Sequence, residues 1–134
     1  MLPVLSAVAI LAAAPSPCPA DLLVADPRLK VVRAANPAMD NYVVTVDVRN
    51  RGTAAQTSGV SQRLELIRGG AVIGSQPIPA LGPAQDYVAA FRLQLPHESK
   101  RPPFNVVFHY VLDQKSDAAR NNCTSVNDRL SATL

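Results

Sequence analysis

YVVTVDVR, residues 42–49, decides the fold. Tyr42, Val44, Val46 and Val48 share one parity, and Thr45, Asp47 and Arg49 take the other. Successive strand side chains point to opposite faces, so this spacing gives a ribbon with one apolar side and one wet side. A helix would repeat its apolar positions every three or four residues instead. Working outward, Val60 to Arg68 places Leu64 and Leu66 inward and Arg63 and Glu65 outward. Tyr87, Ala89, Phe91, Leu93 and Leu95 alternate with Val88, Ala90, Arg92 and Gln94. Phe104, Val106, Phe108, Tyr110 and Leu112 alternate with Asn105, Val107, His109 and Val111. A first strand over Leu29 to Ala34, a short one over Ala71 to Gln76, and a last one with Val126, Leu130, Ala132 and Leu134 on one side complete the set. Sheets with one wet face are antiparallel. The expected fold is therefore all-β, a two-sheet antiparallel immunoglobulin-like sandwich of about seven strands.

The punctuation agrees. Gly69-Gly70 separates two strand-like runs by a pair of residues that tolerate positive φ, the mark of a tight hairpin. Asn50-Arg51-Gly52 ends the second strand, and Pro79 to Pro83 interrupts pairing before Tyr87. The 12 prolines fall mostly between apolar runs, where they cost no ladder hydrogen bond. A length of 134 residues suits one domain and is too short for two. The net charge of +3 is spread along the chain, and no basic cluster exceeds Lys100-Arg101, so no nucleic-acid partner is expected.

Leu2 to Ala14 is apolar and uncharged and runs into the Pro-rich segment PSPCPA. It is shorter than the roughly 20 residues that span a bilayer and matches the apolar region of a secretory signal. A basic start is missing, since no Lys or Arg precedes Arg28. Cleavage after Ala13 or after Ala20 fits the small residues, whereas Pro15 hinders a cut after Ala14. The expected division is residues 1–20 as signal and Pro-rich start and residues 21–134 as a single domain. The mature chain has no transmembrane segment in this reading, and it is exported to the periplasm or beyond.

The runs VTVDVRNRGTAA, LELIRGGAVIGSQPIPALGP and FHYVLD, followed by Asn121-Asn122, resemble the bacterial CARDB family, the cell-adhesion-related domain. The shared features are a strand ending N-x-G, a hairpin closing on I/V-P-x-L-x-P, and an Asp after strand six followed by Asn-Asn. The resemblance covers roughly Asp21 to Leu134. It implies an immunoglobulin-like module of exported or surface proteins, with no catalytic residues to carry over. Lys115 and Arg120 stand in the loop where that family often carries acids.

Candidate chemistry is sparse. Asp113, Asp117, Asn121 and Asn122 offer oxygens of the kind Ca²⁺ takes, roughly six to eight at a time, but Asp and Asn also shape loops by bonding nearby backbone. Lys115 and Arg120 oppose a dication there, so no metal or other cofactor is expected. His97, His109, Cys18 and Cys123 show no close ligand pair for zinc. His109 lies on the outer face, where Glu65 can approach it, yet no poised nucleophile and no G-x-S-x-G elbow accompany them. No catalytic residue is assigned. All six aromatic residues have inward parity, which leaves no exposed ring for a sugar to stack on.

In an immunoglobulin-like order the first strand starts at the end that carries the loop between strands six and seven. Cys18 and Cys123 thus share one end, and a disulfide between them is expected if Cys18 survives cleavage. In the chain-entropy picture it would contribute up to about 4.7 kcal/mol. The leading expectation is a non-catalytic exported interaction or structural module, of adhesion type, in the bacterial envelope. Its partner is a protein or other envelope component, met through Thr53 to Gly59, Asp113 to Asn122, or an open sheet edge. The alternatives are a small exported protease inhibitor and, last, an enzyme.

Overall fold

The computed structural model describes residues 19–32, 37–98, 103–114 and 117–134. Among these lie β1 (Leu22–Val32), β2 (Met39–Asn50), β3 (Gln62–Arg68), β4 (Ala71–Pro77), β5 (Asp86–Pro96), β6 (Asn105–Leu112), the one-turn helix α1 (Ala118–Asn121) and β7 (Arg129–Thr133). The strands form a three-stranded sheet, β1-β2-β5, and a four-stranded sheet, β4-β3-β6-β7, antiparallel throughout. The alternation that predicts a sandwich is the alternation that builds one. Among the described residues no helix is long and apolar enough to cross a membrane.

The inward residues meet in a single core. Leu22, Val24, Val44, Val46, Val48, Ala89 and Phe91 line one sheet, and Leu64, Leu66, Val106, Phe108, Tyr110 and Leu112 line the other. Phe91 and Phe108 meet between the layers, ring centroids 6.4 Å apart and tilted by 47°. Rings prefer such offset contacts to a face-on sandwich. Tyr42 stacks beside Phe104 at 6.3 Å, with the Arg68 guanidinium 4.5 Å above the Phe104 ring. Five of the aromatic residues are buried, and Tyr87 is half-buried against the core. Gly74 of β4 leaves room for Phe91, since a Cβ there would stand 2.7 Å from the ring.

The strand limits differ most from expectation at β1 and β7. β1 begins at Leu22 rather than Leu29, because the strand carries Asp26-Pro27 as a bulge instead of stopping there. Asp26 takes φ 55° and the register shifts between Ala25 and Arg28. β1 is an edge strand, where a missing proline N–H and a bulge are tolerated. At the other end Val126 is not inward. It is 87% exposed in a turn closed by the Asp128 N–H donating to the Ser125 carbonyl, and β7 starts only at Arg129.

The turns follow their residues. Gly69 and Gly70 have φ of 59° and 78°, both positive as a two-residue primed hairpin turn requires. Ala84 has φ 58° without being glycine, held there while its N–H donates to the Asn50 carbonyl at 2.8 Å. An L-residue pays a Cβ clash in that region, and glycine does not. Ala84→Gly is expected to stabilise the fold by about 0.5–1 kcal/mol after the entropy cost of glycine. Urea unfolding measures it, and an unchanged or lower midpoint contradicts the strain argument.

Candidate functional site

The start of β1, the end of β2, the start of β3 and the end of β6 lie at one end of the sandwich, where the loops have no ladder to join. Buried polar side chains gather there: Asp21, Asn50, Gln56, Gln62, Asn121 and Asn122. A buried polar group costs free energy unless it is hydrogen-bonded. Among the described residues no buried side-chain nitrogen or oxygen lacks a partner.

Asn50 closes β2 and uses its full amide capacity. Its Oδ1 accepts from the Asp21 N–H at 3.2 Å and the Gly52 N–H at 2.9 Å. Its Nδ2 donates to the carbonyls of Ala54 at 2.9 Å and Leu81 at 3.1 Å. Gln56 and Gln62 pair reciprocally, each amide nitrogen 2.8 Å from the other's oxygen. Gln56 also accepts from the Leu81 N–H at 3.0 Å and donates to the Asn121 carbonyl at 2.9 Å. The Tyr110 hydroxyl donates to Gln62 Oε1. Burial pushes the Tyr110 pKa up, so the phenol keeps the proton that this bond needs.

Most of the residues considered for a cation are engaged in other bonds, and Asn121 Nδ2 also reaches the Asp117 carbonyl at 3.4 Å. Asn121 Oδ1 accepts from the Thr57 N–H at 2.9 Å and the Thr57 hydroxyl at 3.2 Å. Asn122 Oδ1 accepts from the Leu22 N–H at 3.1 Å, and its Nδ2 donates to Asp128 at 2.7 Å. Asp113 is paired with Arg63 and accepts from the Ser61 hydroxyl at 2.9 Å. Asp117 precedes α1 with no side-chain capping bond. The two Asn oxygens are thus occupied by N–H groups of different segments, and the Asp113 carboxylate is neutralised by a guanidinium. This donor set does not fit a divalent cation. Among the described residues no group of three or more His, Cys, Asp or Glu side chains could hold a metal ion.

Asp21 anchors the entry to β1 to the β6–β7 loop. Its carboxylate accepts from Arg51 Nε at 2.6 Å, the Thr124 hydroxyl at 2.9 Å and Asn127 Nδ2 at 3.1 Å. Close by, the Cys123 N–H donates to the Ala20 carbonyl at 3.4 Å. The first strand and the β6–β7 loop therefore share one end, as the immunoglobulin-like order requires. Cys18 lies outside the described residues.

On the outer face of the four-stranded sheet, His109 Nδ1 stands 3.9 Å from Glu65 Oε2, the approach expected from parity. The cross-strand row runs Ser75, Glu65, His109, Arg129. A hydrolytic triad sets its histidine between nucleophile and acid, but here the acid stands in the middle and Arg63 already binds it at 3.1 Å. His97, in its loop, is exposed and pairs with Asp40 at 2.9 Å.

Gln56 and Gln62 give no sequence signal, since isolated glutamines read as surface. Asn50 is legible as a strand end but not as a hub.

No family model and no curated protein matches the chain in sequence. Among solved structures it is similar to the CARDB domain of a Pyrococcus furiosus protein, solved in complex with di-metal ions. That likeness has 16% identity and a TM-score of 0.52, and covers 86% of this chain and 91% of the other. At this identity it shows the fold alone, a two-sheet sandwich like that of the CARDB domain, the family that the sequence motifs resemble.

Asn121→Ala removes the acceptor of Thr57 and strands a loop N–H. We expect a loss of about 2 kcal/mol by urea unfolding, and a loss near zero contradicts the buried role.

Asp128 gives a pH test. Burial, chiefly, raises its pKa above 3.8, with Asp21 adding to the rise and Asn122 and His109 opposing it. A carboxyl raised by folding stabilises the native state when protonated, and that stability is lost as pH rises through the folded pKa. Asp128→Asn keeps the acceptor for Asn122 and carries no charge. Relative to wild type it should gain stability as pH rises from about 4 to about 7. A constant difference across that range contradicts the assignment.

Proposed function

We propose that this CARDB-type sandwich is a non-catalytic, exported interaction module of the bacterial envelope, whose partner docks on the loops at the polar end. One observation carries the reading. Asn121 joins the two loops that the sequence offers as contact surfaces, bonding Thr57 of the β2–β3 loop from within the β6–β7 loop. Gln56 adds a second tie through the Asn121 carbonyl. The loops thus form one platform held from beneath, with Thr53, Ala55, Ser58, Ala119 and Arg120 exposed on it. A surface ordered before binding loses less entropy on association, which is the physical advantage of such a platform.

No divalent cation is assigned to the Asp113 to Asn122 loop in this reading, because the oxygens of Asn121, Asn122 and Asp113 already accept from N–H groups and Arg63. Export is supported by the apolar leader. The non-catalytic reading is supported by the order of Ser75, Glu65 and His109, which does not present an activated nucleophile.

Among the described residues of the platform, Arg120 is a charged side chain suited to anchor a partner, since Arg is enriched among the residues that dominate binding. Immobilised protein incubated with envelope extract should retain a partner that Ser58→Tyr combined with Arg120→Glu loses, with the circular dichroism of the variant unchanged. Equal retention by the variant contradicts the platform. Sub-stoichiometric inhibition of a protease panel, with no envelope partner retained, would favour the inhibitor reading instead.

A further inference from the structure

We propose that the exported chain is cut between Ala13 and Ala14, upstream of Cys18, and that the retained Cys18 is joined to Cys123. The proposal rests on the export reading above and adds to it the form of the mature chain. Sequence spacing allows cleavage after Ala13 or after Ala20, and the fold discriminates between them.

A cut after Ala20 removes residues that are part of the domain. Ala20 is 0% exposed. The Pro19 carbonyl accepts from the Ala54 N–H at 2.9 Å, and the Ala20 carbonyl accepts from the Cys123 N–H. A Cβ on Gly52 would stand 2.1 Å from the Pro19 oxygen and 2.7 Å from the Ala20 Cα. Backbone therefore packs on backbone here, with no space for a side chain. Cleavage after Ala20 would also turn the Asp21 N–H into an ammonium group. Asp21 is 4% exposed, and its N–H points at Asn50 Oδ1. Burying a new charge at that point is costly. Cleavage after Ala13 avoids all of these losses.

Chain length alone leaves a bridge within reach. Cys18 is two residues before Ala20, at most about 7 Å along the chain. Ala20 is bonded to Cys123 itself. Bridged cysteines have Cα atoms roughly 4.4–6.8 Å apart. Among the described residues there is no free cysteine.

Both covalent steps balance. A signal peptidase adds water across the Ala13–Ala14 bond, leaving a carboxylate on Ala13 and an ammonium on Ala14. For the bridge, one cysteine thiolate attacks the disulfide of an exported thiol oxidoreductase and forms a mixed disulfide. The second thiolate displaces the oxidoreductase, which leaves as a dithiol carrying the two electrons and two protons.

The test is the intact mass of the exported full-length gene product with and without reductant. The expected chain begins at Ala14 and gains two hydrogens on reduction. A chain beginning at Asp21 overturns the cleavage, and one beginning at Ala14 without the gain overturns the bridge. A product that keeps its leader inside the cell overturns the export reading, and the processing with it. A second measurement is independent of export. A purified chain begun at Asp21 should unfold at a lower midpoint than one begun at Ala14 carrying Cys18→Ser. Equal midpoints overturn the packing argument.

Discussion

Ending two sheets together forces their connecting loops to find hydrogen-bond partners away from any ladder. Here that problem is solved by a few buried side-chain amides. Asn50 satisfies four backbone groups from three segments, and the Gln56–Gln62 pair closes the gap between the β2–β3 loop, the β4–β5 connection and β6. In a low-dielectric interior such bonds are strong when complete and costly when broken. The polar end is therefore determined as fully as the apolar core, although its chemistry differs. The loops above it and the Pro19–Asp21 segment beside it take their positions from those amides.

This arrangement separates two kinds of surface. The outer sheet faces carry cross-strand charge pairs such as Arg49 with Asp86, both largely exposed, which fix little. The loop end carries small exposed residues on a buried frame, which can vary without disturbing what lies beneath. At this end the side-chain oxygens that could meet a ligand are already engaged in holding loops. Asp113, Asn121 and Asn122 show this most directly. Oxygens that in isolation resemble a cation site are spent on Arg63, Thr57 and Leu22.

The core was legible because period two is enforced by strand geometry. Val44, Val46 and Val48 are fully buried, and so are Leu64, Leu66 and Phe108. The hairpin at Gly69-Gly70 was legible because few other residues accept two positive φ angles. Where a short-range signal had two physical readings, the sequence could not choose. Asp26-Pro27 looks like a break and is a bulge, because only the pairing of Leu22–Val24 with Val48–Asn50 reveals the strand before it. Val126 has inward parity but precedes the strand. The amide network was illegible since many of its bonds join segments far apart in sequence, such as Asp21 with Asn50, Asn50 with Leu81 and Thr57 with Asn121, and Gln56 carries no local mark of its role.

If the loop end is locked rather than merely closed, native-state hydrogen exchange will register it amide by amide. The amides of Gly52, Thr57 and Leu81 donate to the side chains of Asn50, Asn121 and Gln56. These amides should exchange within about tenfold of the Val46 amide in the central strand. Exchange at the rate of an open loop, with Val46 still protected, would contradict it.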